Sequence, residues 1–101
     1  MAELGAQLKI LAIPNGWQLS GELDAHTATS LTEAMSVLPI GEVIVNIAEV
    51  SFVDSSGLRV LLDATNRAKA GGGDLVIASP QASIQRLFEI SGLGQHIHVR
   101  E

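Results

Sequence analysis

The sequence predicts one small α/β domain built around a mixed sheet. Three observations carry that expectation. Short β-branched runs alternate with stripes of helical period along the chain. Asn15-Gly16, the dipeptide that most favours a tight hairpin, joins the first two apolar runs. Finally, 101 residues with 47% hydrophobic and 17% charged side chains can bury one modest core and leave no room for a second domain. The whole chain, 1–101, is therefore read as a single domain.

Leu8 to Ile13 forms the first predicted strand, and Trp17 to Ser20 returns antiparallel to it after Pro14-Asn15-Gly16. Gly21-Glu22 is expected to break that strand. A helix follows with Asp24 as its N-cap, because a carboxylate there accepts from the unpaired N–H groups of the first turn. Its apolar stripe is Ala28, Leu31, Met35 and Leu38, and Pro39 and Gly41 stop it. Val43-Ile44-Val45-Asn46-Ile47 suits a strand buried on both faces, as in a parallel sheet, and Phe52-Val53 follows after a polar step. Leu58, Leu61, Leu62, Thr65 and Ala68 mark a second helix. Gly71-Gly72-Gly73 ends it, glycine after a helix taking the left-handed conformation cheaply. Leu75 to Ala78 is the next strand. Ser79 as N-cap and Pro80 in the first turn open a third helix, with Ile84, Leu87, Phe88 and Ser91 on one face and Gly92 as its stop. His96 to Val99 supplies a last edge strand. The strand–helix–strand units demand parallel pairing with right-handed crossovers, giving a mixed sheet of four to five strands with an N-terminal hairpin and helices packed on it.

Composition removes several function classes. Net charge is −5 and the six Lys and Arg are scattered, so nothing resembles the basic stripe that a nucleic-acid backbone requires. The same acidity disfavours an anionic membrane surface. No cysteine is present, which removes disulfides and thiolate metal sites and agrees with a reducing compartment. Met1 to Ala12 lacks the form of a signal peptide, and no apolar run is long enough to span a bilayer. The expected location is cytoplasmic. Only three aromatics occur, Trp17, Phe52 and Phe88, so the core must be aliphatic.

Asp54-Ser55-Ser56-Gly57-Leu58 lies between a buried segment and the second helix. Ser55 or Ser56 falls at the N-cap or one residue from it. The plain reading is a helix cap contributing about 1 kcal/mol. The functional reading uses the same position. A phosphate added there brings about −1.5 to −2 charge at pH 7, which unpaired N–H groups and the positive end of the helix would accommodate while Asp54 repels it. Such a modification would change the surface more than the fold.

Three segments resemble one family. Ser51-Phe52-Val53-Asp54-Ser55-Ser56-Gly57-Leu58 is similar to the phosphorylation loop of STAS domains of the bacterial anti-sigma factor antagonist (anti-anti-sigma factor) type. Gly21-Glu22-Leu23-Asp24 resembles the family's element after its second strand. Arg86-Leu87-Phe88-Glu89-Ile90-Ser91-Gly92-Leu93 resembles its third-helix signature. The likeness runs from about Leu8 to Val99. It implies a STAS-like fold and a partner-switching, transcription-regulating phosphoprotein that is not itself an enzyme. The unphosphorylated form binds an anti-sigma factor that is also a serine kinase, releasing a sigma factor. Phosphorylation with ATP, used by the partner kinase, reverses this, and a phosphatase resets it. No cofactor of its own is implied, and a monomer is expected. The resemblance maps the phosphoacceptor onto Ser55, with Ser56 as second choice, and brings Asp24, Asp54, Ser56 and Gly57 to the partner surface. Many relatives carry Gly where Arg59 stands here.

On a helical wheel of about 100° per residue, Val60 falls opposite the buried stripe, beside Asp63 and Arg67. Arg59, Val60, Asp63 and Arg67 are thus the predicted remainder of the partner patch. Other readings compete. His96 and His98 would share a strand face, but two ligands do not make a metal site, and none is expected. The triple glycine follows a helix, whereas a phosphate-cradling loop precedes one. A serine hydrolase would need a base for Ser55 or Ser56, with His26 the candidate, and no Gly-x-Ser-x-Gly elbow is present. Within the same fold, a non-switching scaffold of a stressosome-like assembly or an accessory subunit of a lipid transporter is the nearer alternative.

Overall fold

Five strands lie in the sheet in the same order in which they occur along the chain. The structure is a computed structural model and describes residues 7–101; the first six residues, which include the start of the stretch compared above with signal peptides, lie outside the described residues. The elements are β1 (Leu8–Ile13), β2 (Gly16–Leu23), α1 (Ala28–Ala34), β3 (Glu42–Val53), α2 (Ser55–Ala70), β4 (Asp74–Ala78), α3 (Ala82–Ser91), a single 3-10 turn (Leu93–Gln95) and β5 (His98–Arg100). β1 and β2 form the expected hairpin, with Ile13 opposite Gly16 and Asn15 left-handed at φ 62°. Every later pairing, β2–β3, β3–β4 and β4–β5, is parallel.

That order decides where the core sits. Each crossover steps one strand further in the same direction, and crossovers of one hand then leave all the helices on one face. Val43, Val45 and Ile47 of β3 and Leu75 and Ile77 of β4 meet Leu31 and Met35 from α1 and Leu58, Leu61, Ala64 and Ala68 from α2, with Ile84 and Phe88 of α3 in the same cluster. β3 is therefore not buried on both faces as its composition suggests. Ile44 and Asn46 on the other face are only half-buried. On that helix-free face Val76 is fully buried but stands outside the core cluster. Arg100 pairs with Glu42 at 3.2 Å and His98 Nδ1 approaches Asp74 Oδ2 at 3.3 Å on the same side of the sheet. Asp74 is held below the ordinary carboxylate value chiefly by the Leu75 N–H, which burial partly offsets, with the His98 ring and then Lys69 adding smaller lowering effects.

The expected break at Gly21-Glu22 and the expected gap before Phe52 are both absent. β2 runs on to Leu23, and β3 is one strand of 12 residues. Two β-bulges reconcile the pattern with the pairing. Between Gln18↔Asn46 and Ser20↔Glu49, and again between Gly21↔Val50 and Glu22↔Phe52, β3 carries one residue more than β2. Each bulge resets which face the side chains take, so Ile47, Val50 and Val53 all point inward at a spacing of three. Asn46 Oδ1 accepts from Ala48 N at 3.0 Å beside the first bulge.

Helix ends depart from expectation in several places; α1, for one, stops at Ala34, short of Leu38 and Pro39. α1 begins at Ala28 after Thr27, while Asp24 caps the turn before it. α3 starts at Ala82, with Gln81 and not Ser79 at its N-cap. Ser79 is instead left-handed at φ 60°, its N–H donating to Arg100 O, which ties the end of β4 to the end of β5. His96 ends the 3-10 turn, so only His98 of the two histidines lies in β5. The end of α2 follows the sequence: Gly71 closes it and Gly72 takes φ 89°.

Candidate functional site

β2 and β3 end side by side, Leu23 paired with Val53, and Asp54 N donates to Leu23 O at 3.0 Å. Two aspartates therefore leave the sheet next to one another, and each closes the turn that follows it. Asp24 Oδ1 accepts from His26 N at 2.9 Å and Thr27 N at 3.1 Å. Thr27, buried, answers by accepting from Asp24 N at 2.9 Å and donating to Glu22 O at 2.9 Å. Asp54, in extended conformation, accepts at Oδ1 from Ser56 N at 2.9 Å and Gly57 N at 3.1 Å.

The cap of α2 is thus Asp54, not either serine. Ser55 becomes the first helical residue and is exposed; Ser56 follows and is half-buried. Neither hydroxyl has a hydrogen-bond partner among the described residues. The cap also changes the electrostatics expected of this end. Two of the N–H groups assumed to be open to a phosphate already serve Asp54.

Gly57, expected at the partner surface, is buried. A Cβ there would lie 2.5 Å from Leu23 Cγ and 2.8 Å from Leu23 O, so the residue sets how closely α2 approaches the end of β2. Its contribution is packing.

The four residues predicted as one patch on α2 divide between two flanks. Ser55, Leu58, Arg59, Leu62 and Asp63 form one wall of a groove of about 410 Å³, and Ser91 and Leu93 close the other wall. Val60 is half-buried and packs against the core, contrary to its predicted exposure. Arg67 reaches the end of α1, where its guanidinium donates to Met35 O at 2.8 Å and Ser36 O at 3.4 Å. Leu58, Leu62, Ser91 and Leu93 are groove residues outside the site predicted from the sequence. The sequence signal for the last two was the Arg86–Leu93 segment, which places the end of α3 against the start of α2 only once the fold is known.

A family model for the STAS domain matches residues 17–101. The chain belongs to the STAS domain family. Among curated relatives, it is 36% identical over 85 residues to an anti-sigma-B factor antagonist of Listeria monocytogenes, covering 81% of this chain and 75% of that one. An anti-sigma-B factor antagonist of Staphylococcus aureus is 32% identical over 87 residues, covering 83% and 81%. Among solved structures, the anti-sigma factor antagonist SpoIIAA in its unphosphorylated form superposes with TM-score 0.65 at 25% identity over 94% of this chain and 87% of that one. A putative anti-sigma factor antagonist of Thermotoga maritima shares the fold, with TM-score 0.75 at 15% identity over 93% and 86%. The STAS sheet, hairpin and helix order inferred from the sequence are those of this family.

Among the described residues of this STAS domain, no group of three or more His, Cys, Asp and Glu converges as metal ligands, and no hydrogen bond joins Ser55 or Ser56 to a histidine. No helix of the described residues is long and apolar enough to cross a membrane. What the site offers is an exposed hydroxyl at the mouth of a shallow, half-apolar groove, positioned by a carboxylate cap.

Proposed function

We propose that this domain is an anti-sigma factor antagonist that works by partner switching in the cytoplasm. Unphosphorylated, it binds an anti-sigma factor with serine-kinase activity through the surface around Asp24, Asp54, Ser56 and the groove beside Arg59 and Asp63. The kinase then transfers the γ-phosphoryl group of ATP to Ser55 Oγ. The new O–P bond forms as the bond to ADP breaks, and the hydroxyl proton leaves with the kinase's base. The phosphorylated form is released and a phosphatase resets it.

One observation carries the choice of Ser55. Its hydroxyl is exposed, unpartnered among the described residues and held at the first position of α2 by a cap that does not use it. Relatives named as antagonists support the biological role. The domain needs no cofactor or catalytic group of its own in this scheme.

The test is incubation with labelled ATP and candidate anti-sigma kinases of the source cell, with the phosphosite mapped by mass spectrometry. Label is expected at Ser55, lost in Ser55→Ala and retained in Ser56→Ala. Ser55→Asp should weaken kinase binding about a hundredfold, some 2.7 kcal/mol, because a fixed negative charge beside Asp54 burdens the interface. Ser55→Ala should bind normally. Label on Ser56 would move the switch by one residue. No label with intact binding would instead favour a non-switching scaffold.

A further inference from the structure

We propose that Arg59 is the internal receptor for a phosphate on Ser55, holding the modified side chain against the groove wall of α2. This rests on Ser55 being the modified residue.

Three observations lead there. First, a phosphate on Ser55 cannot rely on the helix end alone, because Asp54 already occupies the N–H groups of Ser56 and Gly57 and adds a negative charge beside it. A positive partner has to come from elsewhere.

Second, of the three cations on α2, two are committed. Arg67 donates to the Met35 and Ser36 carbonyls, and Lys69 Nζ to His96 O at 3.4 Å. Arg59 is exposed and has no ion pair or hydrogen bond among the described residues.

Third, Ser55 and Arg59 are one helical turn apart and line the same groove. An anion four residues N-terminal to a cation is the favourable orientation for such a pair, since each charge then also complements the helix dipole. Asp63, the competing partner, stands four residues C-terminal to Arg59 in the unfavourable orientation. The guanidinium fork also matches phosphate oxygens with paired N–H donors.

Modification therefore does two things at once. It adds a dianion, and it draws Arg59 along the groove wall toward the helix start. The partner would lose a free cation as well as a hydroxyl. Arg59 and Asp63 are the charged side chains lining the groove; the facing wall contributes Ser91 and Leu93 and no charge.

The experiment places phosphoserine at position 55 by genetic encoding and follows its second ionisation by phosphorus NMR. A free phosphoserine titrates near about 6. Pairing with Arg59 should hold the midpoint about 0.3 unit lower than in Arg59→Gln. Arg59→Lys should keep part of that difference, and Lys9→Gln, which removes the same charge from β1, should leave the midpoint unchanged. Equal midpoints in the unaltered and Arg59→Gln proteins would overturn the proposal, as would an equal response to Lys9→Gln. Because the phosphate is installed without a kinase, this result is independent of whether a cellular kinase chooses Ser55.

Discussion

The two flanks of α2 carry the same residue type and put it to opposite uses. On the side facing α1, Arg67 reaches across to carbonyls at that helix's end and is held there. On the side facing α3, Arg59 borders an open groove and is unpaired among the described residues. Helix ends leave carbonyls without internal partners. Where a cation of α2 meets such an end it is consumed as structure, as Lys69 also is at His96 O after the 3-10 turn, whereas Arg59, beside Ser91 and Leu93, has no such partner among the described residues. Position relative to a neighbour's end, and not side-chain type, separates the structural arginine from the available one.

The strongest way to break this contrast is to move α2 itself. Gly57→Ala sets a Cβ against the Leu23 backbone oxygen, which cannot rotate away. Both flanks should shift, with a stability loss of about 3 kcal/mol in urea melts, near the upper end for overpacking. A loss below about 1 kcal/mol would mean that α2 can retreat without cost.

A milder change sharpens it. Arg67→Met should cost about 1.5 kcal/mol through the lost hydrogen bonds to two carbonyls, while Arg59→Met should stay within about 0.5 kcal/mol, as for an unengaged surface residue. Matched losses in the two melts would erase the distinction between the flanks.

The smallest effect concerns the start of α2. Asp54→Ala should cost about 1 kcal/mol and Asp54→Asn far less, because asparagine caps equally well. Ser55→Ala should leave the melting curve where it was. If Ser55→Ala were the more damaging of the two alanine variants, the hydroxyl would be a structural group after all.

Much of this was legible in the sequence, for physical reasons that also explain the gaps. Helical stripes such as Leu58, Leu61 and Ala68 survive in the fold because a helix has one period from end to end. β3 was misread because its period is interrupted twice: bulges re-aim Val50 and Val53, and a pattern of two reads that as a break. Caps were misplaced where several capping residues stand in a row. Asp54, Ser55 and Ser56 are all competent, and the chain's extended conformation at Asp54 makes the choice. Ser79 lost its cap because its N–H is drawn to Arg100 O, a partner 21 residues away that no local rule anticipates. The site was found from its motif, but its groove was not, since one wall comes from residues 91 and 93 and the other from residues 55 to 63.

The strand order has a kinetic consequence. Because the sheet's sequence is the chain's sequence, each strand finds its partner in the strand immediately before it, and no strand waits for a distant one. Closure of short loops precedes closure of long ones. Assembly on the ribosome can proceed as successive additions to an existing edge, starting from the β1–β2 hairpin. The ion pair between Glu42 and Arg100, 58 residues apart, would be among the last links made, after both intervening crossovers have docked.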